Sequence, residues 1–279
     1  MGSQAVEQFL AYFRSKTERV SWGKGGPLPG LGVAQQASLD EIVKSSLDKT
    51  ELLRYGDAIY VLHFSRDQDE HALAFGRPSA SMTGFYRGND EFPEEPLFAA
   101  FYMSGLTMSS APLARFFNVA KGKRLFPQEE WLLDLLLENG IICVSKRRYV
   151  PPKSEKSIVS FNCMDRASDS WRGIHAHEFS HGLYTTNQSY REYCENFWDK
   201  VMTGADRDLF TYFLAGQGYS QRREIVIDEF QAYFVNSRFA REQILHLFSE
   251  ARYEELRAAF IKDSPVPSFA DLIDKASPN

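Results

Sequence analysis

His177-Glu178-Phe179-Ser180-His181 is the stretch of this 279-residue chain on which both fold and chemistry turn. On a helix, residues four apart share a face, so the imidazoles of His177 and His181 can converge on one metal ion. Glu178 lies one residue past the first histidine. It points beside that ion, where a bound water would sit, and can take the water's proton. A chain of this length matches the HExxH pattern by chance on the order of 1% of the time, so coincidence is the weaker reading. The flanks suit a buried helix lining a cleft. Ile174, Ala176, Phe179 and Leu183 are apolar, and no proline interrupts residues 172–184, although Gly173 and Gly182 lower the helix propensity. Ser168, Asp169 and Ser170 supply N-cap candidates.

A catalytic zinc takes three protein ligands and keeps a fourth position open, so a third ligand is expected. Ile225-Val226-Ile227-Asp228-Glu229-Phe230-Gln231-Ala232-Tyr233-Phe234 carries it. Glu229 sits in an otherwise apolar amphipathic stretch, where a buried carboxylate is costly unless a cation offsets its lost hydration. Ala232 shares its face and is small enough to let this helix approach the HExxH helix. The expected centre is Zn2+ held by His177, His181 and Glu229, with a water. Rivals for the third position are Glu192 and Glu195, in an amphipathic segment where glutamates are usually solvated, Cys194 as a thiolate, and Asp228. His175 is two residues from His177 and faces away from it, in an outer or surface position. Tyr184 and Tyr233 share the faces of His181 and Glu229. A phenol there could stabilise the oxyanion formed when water attacks a carbonyl, although aromatics at helical spacing are more often core.

HExxH on one helix, followed on a second by a glutamate with alanine three residues later, resembles the gluzincin branch of zinc metallopeptidases. The resemblance covers about residues 171–234 and does not extend to residues 1–150. It implies that His177, His181 and Glu229 bind zinc, that Glu178 is the general base, and that the substrate is a peptide or protein. The chain departs from the thermolysin-like members in spacing. Glu229 lies 48 positions after His181, so the intervening residues must form extra helices. Two other classes fit the motif. One is a zinc hydrolase acting on a non-peptide amide or ester. The other is a non-enzymatic, zinc-stabilised binding or regulatory protein, for which a general base would be superfluous.

The bulk composition is that of a soluble globular chain, 43% hydrophobic and 25% charged, and the 22 Phe and 13 Tyr suit a well-packed core. A net charge of −5 provides no basic field to favour nucleic acid or anionic membrane. Lys121, Lys123 and Arg124, and Lys146, Arg147 and Arg148, read as solvated loop and strand-edge charge. Cys143, Cys163 and Cys194 are too few and odd in number for a disulfide framework, which points to free thiols in a reducing compartment. The first residues lack the basic and apolar regions of a signal peptide, and no uncharged run reaches membrane-spanning length. These features predict a cytoplasmic protein, with leaderless export also compatible.

Periodicity predicts helices at residues 5–20, 38–48 and 129–138. It predicts a strand at 58–64, with 71–75 as candidate partner, a strand or a buried segment at 97–103, and strands at 141–145 and 157–162. The last precedes the HExxH helix. It is either an edge that holds an extended substrate by β-augmentation, as is common in the peptidases this chain resembles, or an interior strand. Helices are then expected at 188–202, 205–216, 221–236 and 241–262, with a short tail helix after Pro265-Val266-Pro267. The class is α+β. A mixed region with a small sheet over 1–150 precedes a mostly helical, zincin-like zinc-binding region over 151–279, unless both form one continuous domain. A cleft between them would place the metal at its floor.

Overall fold

A computed structural model describes residues 28, 30–45, 50–64, 68–86, 92–93, 104–162, 170–236 and 241–266. The expected helix at 5–20, the strand or buried segment at 97–103, the tail helix beyond residue 266, Ser168, Asp169 and Cys163 lie outside them. The first half runs β1 (Gln35–Gln36), α1 (Leu39–Lys44), β2 (Glu51–Tyr55), β3 (Ile59–Phe64), α2 (Gln68–Tyr86), β4 (Gly105–Ser109), α3 (Ser110–Val119) and α4 (Pro127–Glu138). A hairpin follows, β5 (Cys143–Ser145) and β6 (Arg148–Val150), and then β7 (Ser157–Asn162). The rest is helical: α5 (Ser170–Thr186), α6 (Gln188–Lys200), α7 (Gly204–Gly216), α8 (Arg223–Phe230) continued by a π-helical turn (Gln231–Asn236), α9 (Arg241–Leu245) and α10 (Glu250–Asp263). The fold is α+β.

Five strands form one mixed sheet in the order β1-β2-β3-β7-β4. β3 and β7 pair in parallel, while β2 and β4 run antiparallel to β3 and β7 respectively. β3 and β7 are buried at every position, which suits strands covered on both faces. Their side chains alternate between two cores. Ile59, Val61, Val159 and Phe161 join the α5–α10 side, whereas Tyr60, Leu62, Phe64 and Ile158 pack with α2, α3 and α4. The sheet therefore draws strands from both sides of residue 150 and separates two layers of helices.

Strand 157–162 is interior. The edge beside the HExxH helix is β4, which no other strand pairs on its outer side among the described residues. Its register sets Gly105 opposite Phe161 and Thr107 opposite Val159, so both face α5. Residues 71–75, expected as a strand, lie within α2. His71, Leu73 and Phe75 do alternate with Ala72 and Ala74, but alanine favours helix, and residues 71–79 are all buried. A helix with no exposed face over that stretch shows no helical period to read. The single helix expected at 241–262 is two, because Ser249 accepts a hydrogen bond from the Arg252 amide and starts α10 afresh. Among the described residues no helix is long and apolar enough to cross a membrane.

Candidate metal centre

The HExxH helix lies close against the sheet because small residues permit it. A Cβ on Gly182 would sit 3.3 Å from Val159 Cγ2 and 3.4 Å from Ile59. At the edge strand the fit is tighter, since a Cβ on Gly105 would come within 2.7 Å of Glu178 Cγ and 2.8 Å of Ile174 Cγ2. Ala232, fully buried, sits where the π-helical turn meets the HExxH helix, and its backbone accepts a hydrogen bond from the ring of His177.

These contacts bring His177, His181 and Glu229 together. Among the described residues they form the one group of three or more His, Cys, Asp or Glu side chains with ligand atoms within 4.8 Å of one another. His177 Nε2 and His181 Nε2 are 3.1 Å apart, and Glu229 Oε2 is 3.9 Å from the first and 3.7 Å from the second. A triangle with these sides has a circumscribed radius of about 2.1 Å, the distance at which zinc binds imidazole nitrogen and carboxylate oxygen. The side chains are only 8% exposed at His177 and 12% at His181 and Glu229, so an ion there would be largely desolvated yet reachable. Among the described residues, Glu229 Oε2 is buried with no hydrogen-bond partner. An orphaned carboxylate oxygen facing two imidazole nitrogens fits a divalent cation.

The electrostatics agree. Burial raises Glu229 to about 8, opposed by the charge of His181 and reinforced by Asp228 and Glu178. Burial, with the charge of His181, drives His177 well down. Burial also pulls His181 down, but the charges of Asp228 and Glu229 and the hydrogen bond to Asp228 outweigh it and raise His181 to about 10. Crowded ionisable groups in a dry site are poorly satisfied on their own, and a cation would favour neutral imidazoles and ionised carboxylates together.

Asp228 accepts from His181 Nδ1 at 2.7 Å. That bond leaves the Nε2 lone pair of His181 facing the centre, the usual role of a carboxylate behind a metal-binding histidine. The other rivals lie elsewhere. Glu192 is exposed and bonded to Gln188, while Cys194 is a buried free thiol that burial raises. His175 is buried and stacks on Phe161, with ring centroids 3.6 Å apart.

Glu178 is held from the edge strand. Thr107 Oγ1 lies 2.7 Å from Glu178 Oε2 and 2.9 Å from the Glu178 carbonyl oxygen. Burial raises Glu178, while the charge of His181 and the bond from Thr107 oppose it. A carboxylate raised in this way is a better proton acceptor than an exposed one. Tyr233 sets its ring against His177 at a centroid distance of 4.6 Å, and its hydroxyl lies 2.9 Å from that of Tyr219. Burial raises Tyr233 to about 12. Tyr184 is buried in the core on the helical side of the sheet, with no hydrogen-bond partner for its hydroxyl among the described residues. Sequence reasoning missed Thr107, Tyr219 and Gln231. For Tyr219 a signal existed in its position just ahead of α8, but nothing local tied it to Tyr233.

Comparison with protein-family models, with curated proteins and with solved structures finds no match to this chain.

Proposed function

We propose that the chain is a zinc-dependent metallopeptidase of the gluzincin kind. The observation that carries this reading is a carboxylate, Glu178, fixed beside a three-atom group with the dimensions of a zinc site. His177, His181 and Glu229 hold the metal. When bound, zinc supplies Lewis acidity, which polarises a carbonyl and eases deprotonation of a water. Glu178 takes the water's proton and passes it to the leaving amine. Thr107 keeps that carboxylate in place. The hydroxyl of Tyr233, next to that of Tyr219, is the donor we assign to the developing oxyanion. The outer edge of β4 offers backbone groups to an extended peptide running beside α5. The free thiols Cys143 and Cys194 favour a reducing compartment, and we assign the chain to the cytoplasm.

The test is a panel of peptides, esters and non-peptide amides offered to the zinc-loaded protein and to Glu178→Gln. Peptide cleavage is expected, reduced about 10²–10⁴-fold in the variant while bound zinc and the folded state persist. Full peptidase activity in Glu178→Gln would rule out the assigned base. Turnover confined to esters or non-peptide amides would move the chain to another hydrolase class.

A further inference from the structure

Gln231 opens the π-helical turn and is completely buried, one residue short of the three-residue spacing that made Ala232 visible from Glu229. Its side-chain amide is used on both sides. Nε2 donates to the Asp228 carbonyl oxygen at 2.9 Å and to Asp228 Oδ1 at 3.1 Å, and Oε1 accepts from the Tyr190 hydroxyl at 2.9 Å. Both Asp228 atoms are acceptors only, so the amide can face them in one orientation alone. The Gln231 carbonyl is clamped in turn by Asn236 Nδ2 at 2.9 Å. Tyr190 and Asn236 are themselves buried.

The contrast with Asp228 is informative. Its side chain is 26% exposed, so water competes for the carboxylate that holds His181 Nδ1. A hydrogen bond from a buried, doubly anchored amide restrains it against that competition. We infer that Gln231 is a positioning residue of the proposed centre. Through Asp228, it fixes the ring of His181 in the tautomer that presents Nε2 to the metal. The inference rests on the proposed zinc site and extends it outward from His181 through Asp228 to Gln231 and the Tyr190 hydroxyl. An outer partner of this kind raises metal affinity by restricting the ligand to its binding orientation.

The experiment is a zinc titration against a chromophoric chelator of known affinity, using the full chain. Wild type, Gln231→Met, Tyr190→Phe, Asp228→Ala and the Asp228→Ala/Gln231→Met double variant are compared. Methionine keeps the volume of glutamine and removes its hydrogen bonds. Gln231→Met is expected to weaken zinc binding about tenfold. Tyr190→Phe, which removes one hydroxyl and is the milder change, is expected to weaken it by a smaller factor in the same direction. Because Gln231 acts through Asp228, its replacement should cost nothing further in the Asp228→Ala background. The visible spectrum of the cobalt-loaded protein should also shift in Gln231→Met, as a change in ligand orientation requires. Wild-type affinity in both Gln231→Met and Tyr190→Phe overturns the inference. So does a full additional loss in the double variant, which would make Gln231 a merely structural residue. A wild-type chain that takes up no zinc overturns the centre itself, and its own blank titration distinguishes that failure from the others.

Discussion

Thr107 joins the edge strand to the chemistry. A single hydroxyl within 2.7 Å of Glu178 Oε2 restrains the assigned base from a different element of the fold. Thr107→Val keeps the branched shape and removes that donor. Peptidase kcat should fall about tenfold, the scale of a hydrogen bond to a charged group, with zinc stoichiometry unchanged. Steady-state kinetics beside metal analysis would check this, and an unaltered kcat would release Thr107 from the role. His177, Glu178 and His181 were legible from sequence because one helical repeat contains all their geometry. Glu229 was legible because a lone glutamate among apolar residues is expensive without a partner. Thr107 was not, since 71 positions separate it from Glu178 and only strand register unites them. Asp228 was visible as an acid, but its place behind His181 depends on tertiary packing that spacing alone does not set.

At the scale of elements, α5 approaches the sheet through glycine, Gly105 on β4 and Gly182 against β3 and β7, and the two close contacts should respond differently to a methyl group. Gly105→Ala forces a Cβ to 2.7 Å from Glu178 Cγ and 2.8 Å from Ile174 Cγ2, so either the strand or the base must move. A loss of ~1–3 kcal/mol is expected from overpacking, read as a lower urea midpoint. Gly182→Ala meets neighbours at 3.3–3.4 Å, and alanine's higher helix propensity offsets that crowding, so its midpoint should stay near wild type. Equal effects at the two positions would contradict the packing described here. The later helices were readable because each turns an apolar stripe to one core and several start on a cap, Asn187 for α6 and Thr203 with Asp206 for α7. α2 was misread because its buried stretch, covered by neighbours all round, carries no amphipathic stripe. Residues 157–162 were readable as a strand but not as edge or interior, because the two look alike in sequence until their neighbours are known.

Two titrations act on the molecule as a whole. His71 lies in the core behind the sheet, bonded to Ser160 Oγ at 2.9 Å, and burial lowers it to about 4. The unfolded chain takes up that proton near pH 6.5, so the unfolded state binds more protons between the two values. Stability from this group is therefore complete above about pH 6.5 and is lost as pH falls towards 4, by about 3 kcal/mol in all. His71→Leu should flatten that part of the stability–pH curve, measured with chelator present to exclude metal binding. An unchanged slope would mean that the folded chain gives His71 its proton as readily as the unfolded chain does. Metal acts in the opposite sense, because an ion that binds only the folded chain stabilises it in proportion to the logarithm of its concentration. The account rests on that ion, and the most direct test is zinc per chain, by elemental analysis of protein purified without added metal, beside His177→Ala. About one zinc per chain, lost in the variant, is the result it predicts. No zinc in either protein, even after reconstitution, would contradict it.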